Sequence, residues 1–223
     1  LVQYAERKIE DDEINKIAGE AYLLRAYCYF RLTRTYGQIP LVEDIRVDYA
    51  IAKSSFIEIY EFIENDLLLA QQLLPENIGT ARVPYITPHK GVAKSILAEL
   101  YLSWAGYPCS DATKYQLAAT TAKEVIDNQE SYGIGLLGDF ADIWKRSNLY
   151  NKESVFGIYF IQPSAEHGYN YLYRSWSFIN SSFDYIDGFW TTEAKYYNTY
   201  PKNYRRDITF LNDVHKHLYS YDT

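Results

Sequence analysis

The sequence predicts a mainly α fold, and three observations carry that prediction. Apolar residues recur at three- and four-residue steps through the first 130 positions, residues suited to helix caps stand at the ends of those stretches, and the pattern breaks after Asn128. A chain of 223 residues suits one large domain or two small ones. Folding at this size buries roughly 70% of the surface of the unfolded chain, so a proper core is available.

Each helix is predicted from its own signals. Ile14, Ile17, Ala21, Leu24, Cys28 and Leu32 define one face of a first helix from Ile14 to Tyr36. Asp11 or Asp12 caps its start, within an acidic run Glu10–Glu13 that suits the positive end of the helix dipole; Gly37 ends it and Pro40 prevents continuation. Cys28, on the apolar stripe, is expected to be a buried thiol. Ser55 and Glu58 have capping-box spacing, each able to bond the other's free backbone N–H, and Phe56, Ile59, Tyr60, Ile63, Leu67, Ala70 and Leu74 follow before Pro75. Thr87 and Pro88 open a third helix whose inner face is Ala93, Leu97, Leu100, Tyr101 and Trp104, closed at Gly106 before Pro108. A fourth, from about Asp111 to Asn128, turns Tyr115, Ala118, Ala119, Ala122, Val125 and Ile126 inward. The helix centres lie about 40, 32 and 23 residues apart, so they match a 34-residue tetratricopeptide repeat only in degenerate form.

After Asn128 the texture changes. Ser154–Ile161 reads as one short buried strand. From Tyr169 to Tyr204, 13 of 36 residues are aromatic, without steady periodicity. We therefore expect a helical scaffold over 1–130 and an irregular, aromatic-rich region over 131–223 packed on it.

Composition narrows the function classes. The net charge is −7 with no block of Lys or Arg, which argues against nucleic acid as a partner. Cys28 and Cys109 are too few for a disulfide framework or a zinc site, and no apolar run approaches the ~18 residues that span a bilayer. Gly133, Gly135 and Gly138 have dinucleotide-fingerprint spacing, but a helix precedes them and no βαβ unit surrounds them, so a turn is expected and no cofactor. His215 and His217 stand without further ligands and read as surface residues, so no metal is expected. Asp184, Asp187 and Glu193 supply carboxylates, yet there is no nucleophile elbow, P-loop or Cys/His signature, and the chain is read as non-enzymatic.

The remaining feature is the wealth of rings: 24 Tyr, 10 Phe and 4 Trp. A pyranose presents a face of polarised C–H groups that stacks on an electron-rich ring, and Tyr and Trp add a hydrogen-bonding tip. Trp176 is the first candidate for such a contact, with Tyr173, Phe183, Tyr185 and Trp190. Arg174, Asn180, Asp184 and Asp187 are interleaved to hold hydroxyl groups. Any one of these rings also fits a core between the helices and the irregular region.

The motifs resemble those of the SusD/RagB family of outer-membrane nutrient-binding lipoproteins. Glu20-Ala21-Tyr22-Leu23-Leu24-Arg25-Ala26-Tyr27-Cys28-Tyr29-Phe30 followed by Tyr36-Gly37-Gln38-Ile39-Pro40-Leu41 is similar to that family's signature. Tyr60–Leu67, Leu74-Pro75, Gly91–Leu102, Ala105-Gly106-Tyr107-Pro108, Glu153-Ser154-Val155-Phe156 and the stretch from Tyr200-Pro201 to Arg205-Arg206-Asp207 follow in the family's order. The resemblance implies tetratricopeptide-like helical pairs carrying an irregular ligand-binding region. It also implies an oligosaccharide or other nutrient as ligand and a SusC-like TonB-dependent transporter as partner. The expected location is the extracellular face of the outer membrane, reached through an N-terminal lipid anchor absent from this chain. Members are longer, so this chain is read as a piece truncated at both ends. The alternative is a helical-repeat module that binds protein or peptide.

Overall fold

The computed structural model describes residues 12–42, 50–77, 87–145, 148, 151–157 and 194–209. Helices dominate the described residues: α1 Asp12–Tyr36, α2 Phe56–Leu73, α3 Lys90–Ala105, α4 Lys114–Asp127, the short α5 Gln129–Tyr132, a 3-10 helix Phe140–Trp144, α6 Ala194–Thr199 and α7 Tyr204–Thr209. The chain divides into two compact units, one of residues 1–137 with 150–157, the other of residues 138–149 with 158–223.

The first unit is an antiparallel stack in which each helix packs on the next. Gly19 lies against Leu73 and Leu74, Arg25 against Asp66, Tyr29 against Phe62, and Gly37 against Phe56, so α1 and α2 run in opposite directions. Tyr60 meets Trp104 and Tyr101 reaches Glu64, which sets α3 antiparallel to α2. Lys94 pairs with Glu124, and Lys114 lies 3.7 Å from the centre of the Trp104 ring, which reverses direction again at α4.

The predicted caps hold at α2, where Ser55 Oγ accepts from Glu58 N and Glu58 Oε2 accepts from Ser55 N at 2.7 Å. Asp12 and Glu13 occupy the first turn of α1, and Gly37, at φ 78°, donates to Thr33 O at its end. The third helix starts later than predicted. His89, not Thr87, is the N-cap, because its Nδ1 accepts from Gly91 N at 3.2 Å.

The core takes the predicted faces of α2 and α3. Ile59, Tyr60, Ile63, Leu67, Ala70 and Leu74 are buried, as are Ala93, Leu97, Leu100, Tyr101 and Trp104. Two faces differ from expectation. In α1 the buried residues are Ala18, Gly19, Tyr22, Leu23, Ala26, Phe30 and Thr33, while Ile17, Leu24, Cys28 and Leu32 are exposed. A Cβ at Gly19 would stand 3.0 Å from Leu73 and Leu74, so the face bearing small Gly19 and Ala26 is the one that lets α2 approach. Cys28 is consequently a surface thiol. In α4 only Ala118 is buried, and Tyr115, Ala119 and Ile126 face outward. Helical spacing marks both stripes as apolar; only the neighbouring helices select the one that is covered.

Among the described residues there is no strand. Residues 155 and 156 form a bend, and 158–161 of the expected strand lie outside the described residues. Val155 and Phe156 pack on the main core, Phe156 with its ring edge-on to Tyr27 at 5.1 Å.

Candidate functional site

Trp176, Tyr173, Phe183, Tyr185, Trp190, Arg174 and Asn180 all lie outside the described residues, as do Asp184, Asp187, His215 and His217. The glycine triplet is a turn. Gly133 takes a left-handed conformation after α5, Gly135 donates to Lys152 O, and the five-residue 3-10 helix that follows Gly138 begins with an Asp139 side chain in the place a phosphate would need.

In the helical unit the polar side chains chiefly brace helices. Arg25 donates through Nε and one terminal nitrogen to both oxygens of Asp66, each at 2.7 Å, with its guanidinium 4.7 Å from the centre of the Phe62 ring. That fork raises the affinity of Arg25 for its proton and holds it charged. Tyr101 donates to Glu64 at 2.6 Å, and burial, then this bond, push its hydroxyl pKa up. Lys114 sits between Glu64 at 3.5 Å and the Trp104 ring, filling the seam of α2, α3 and α4. His89 is buried, and burial lowers its pKa to about 4, so it caps α3 as the neutral imidazole. These groups are occupied by one another, which is the chemistry of a scaffold.

The second unit presents a different surface. Asn203 caps α7, its Oδ1 accepting from Arg206 N at 3.1 Å, and Pro201 separates α7 from α6. Asp139 caps the 3-10 helix through Ala141 N at 2.9 Å, and the same oxygen accepts the Tyr204 hydroxyl at 2.7 Å. The backbone bond from Ala141, then the Tyr204 hydroxyl, keeps the Asp139 carboxyl below its usual range; the bond to Asp139 in turn raises the Tyr204 hydroxyl. Next to this link the Arg205 guanidinium lies 4.6 Å from the centre of the Phe140 ring. Arg206 lies over Tyr197, joining α7 to α6, and Tyr196 meets Tyr200 edge-on at 5.9 Å. Tyr196 and Tyr204 remain half exposed.

Partly open rings with hydroxyl tips, beside carboxylates and guanidinium groups anchored by short helices, suit a polyhydroxylated ligand better than an apolar one. Sequence reading placed the binding residues upstream of this patch. In the sequence, Tyr200 to Asp207 stands out only as a family motif, despite its mixture of Tyr, Arg and Asn. Among the described residues, no group of three or more His, Cys, Asp or Glu is placed to hold a metal ion, and no helix is long and apolar enough to cross a membrane.

An antiparallel helical stack in one unit and short helices bearing exposed rings in the other define a mainly helical class of protein. Residues 1–102 match the SusD-like family described as starch-binding associating with outer membrane. Over 172 residues the chain is 31% identical to SusD-like protein P2 of Formosa agariphila, a match covering 74% of this chain and 32% of that protein. A SusD superfamily protein from Parabacteroides distasonis superposes with a TM-score of 0.69 at 26% identity, covering 86% of this chain and 41% of that one. A structure solved with xylogluco-oligosaccharide superposes with a TM-score of 0.66 at 27% identity, covering 80% of this chain and 36% of the other. The chain belongs to the SusD/RagB family. It spans between about a quarter and a third of the length of the curated relatives it matches.

Proposed function

We propose that this chain is part of a non-catalytic glycan-binding protein on the extracellular face of the outer membrane, which captures an oligosaccharide and delivers it to a SusC-like TonB-dependent transporter. The observation that carries the reading is its likeness, over 80% of the chain, to a relative solved with xylogluco-oligosaccharide. The family's description as starch-binding and outer-membrane-associated agrees with it. The alternating helices of the first unit then serve as degenerate tetratricopeptide-like pairs. The region after residue 130 carries the ligand surface, with Trp176 first among the stacking rings and Tyr173, Phe183, Tyr185, Trp190, Arg174 and Asn180 around it.

Affinity electrophoresis and isothermal titration with the full-length protein test this, using xylogluco-oligosaccharide, laminarin and starch oligosaccharides. Binding of at least one, lost in Trp176→Ala, is the expected result. Failure to bind any glycan would sink the reading.

A second reading, a module for protein or peptide, draws on the outward stripe Ile17, Leu24, Cys28 and Leu32 of α1. Capture of the transporter without any glycan affinity would favour it.

A further inference from the structure

Basic side chains are concentrated in a short stretch of the second unit. In the helical unit Arg25, Arg34, Lys94, Lys114 and Lys123 each have a carboxylate partner within 4 Å, whereas Arg31, Lys53, Lys90 and Lys152 are scattered singly over the sequence. Residues 194–209 hold Lys195, Lys202, Arg205 and Arg206 against a single carboxylate, Asp207, in a chain whose net charge is −7. Among the described residues Lys195, Lys202 and Arg205 have no carboxylate within that distance. The nearby acids are engaged elsewhere, Asp139 by Ala141 N and the Tyr204 hydroxyl, Asp142 by Lys145 at 2.6 Å.

Arg205 lies over a ring of the 3-10 helix. Its guanidinium carbon lies 4.6 Å from the centre of the Phe140 ring, and none of its N–H groups is committed to an acceptor among the described residues. Beside it, Arg206 has a buried Nε–H without a hydrogen-bond acceptor; its nearest carboxylate oxygen, on Asp207, is 3.7 Å away. A buried donor left without an acceptor is costly, and a guanidinium resting over a ring gives up less freedom when its fork meets a planar or tetrahedral oxyanion.

We propose that Arg205, held over Phe140 beside Arg206 in the segment that also carries Lys195 and Lys202, recognises the carboxylate or sulfate group of an anionic oligosaccharide, while Tyr196 and Tyr204 face its sugar rings. This rests on the glycan-binding reading and narrows it to acidic glycans. Carboxylate and sulfate share the oxyanion chemistry that the guanidinium reads, and the choice of ligand separates them.

The test is titration of the full-length protein with an oligogalacturonide, a sulfated galactan oligosaccharide and uncharged xylogluco-oligosaccharide, each at two salt concentrations. We expect one of the two anionic ligands to bind at least tenfold more tightly than the uncharged one, with affinity falling as salt rises. Arg205→Ala should lower the preference for the anionic ligand by about tenfold, and Arg205→Lys should restore only part of it, since charge returns without the stacked fork. Lys123→Ala, in an ion pair of the helical unit, should leave the preference as it is. Circular dichroism of each variant separates lost binding from lost folding. Tightest binding of the uncharged sugar, or an unchanged preference in a folded Arg205→Ala, overturns the inference while the glycan reading stands. No binding of any sugar overturns both.

Discussion

Arg25 and Asp66 join α1 to α2 through two parallel hydrogen bonds of 2.7 Å, yet the two ends are unequally covered: the arginine side chain is 31% exposed, the aspartate 4%. The inequality makes the two truncations unequal. Arg25→Ala removes the guanidinium from a buried carboxylate and should cost roughly 2–4 kcal/mol, because that charge cannot turn to water. Asp66→Ala leaves a guanidinium that can reach solvent and still lies over Phe62, and should cost about half as much. Urea denaturation of both variants checks the order, and equal losses would contradict it.

His89 predicts a pH dependence. Its pKa falls from 6.5 in the unfolded chain to about 4 in the fold because burial disfavours the charged ring. Between those values the unfolded state binds the extra proton, so stability is complete above pH ~6.5 and declines as pH drops towards 4, by about 3 kcal/mol in all. His89→Asn can still accept from Gly91 N but does not titrate there, and its unfolding midpoint should be flatter over that range. A slope identical to that of the parent would place the acid sensitivity elsewhere.

Gly91 is held by space rather than by backbone angle. A Cβ there would lie 2.8 Å from the Tyr132 ring and 2.9 Å from His89 Cε1, two groups that are themselves buried. Gly91→Ala should destabilise by about 1–3 kcal/mol despite alanine's better helix propensity, since ring and imidazole must both move. In a Tyr132→Leu background the same change should cost less, and a double-mutant cycle measures the difference.

Thr33 predicts a gain. It is 3% exposed in α1 and its Oγ1 has no hydrogen-bond partner. Thr33→Val keeps the shape and removes the unmet hydroxyl, so the midpoint of thermal unfolding should rise, by about 1 kcal/mol in stability. A drop would reveal an acceptor that the hydroxyl uses.

Much of the helical unit was legible in the sequence. The Ser55–Glu58 box, the Gly37 terminus and the inner faces of α2 and α3 rest on interactions within one helix or on a single dominant apolar stripe. The His89 cap is not legible in the sequence because Thr87 and Pro88 are the stronger cap signals, and an imidazole caps a helix only where its surroundings keep it neutral. For the candidate site, the seven residues favoured from the sequence lie outside the described residues. The patch around Arg205 was visible only as a motif, because stacking on Phe140, some 65 positions away, has no signature in local spacing.

The sequence by itself therefore determined where the four long helices run, how α2 starts and α1 ends, and to which family the chain is similar. These follow from contacts a few residues apart. Tertiary structure decided which of two apolar faces of α1 is covered, turning Cys28 and Leu24 outward in favour of Phe30 and Leu23. It also decided which arginine is taken by a carboxylate and which is left on a ring. Both depend on what a neighbouring element brings to the contact: the closeness Gly19 allows to α2 in one case, the position of Phe140 beneath Arg205 in the other.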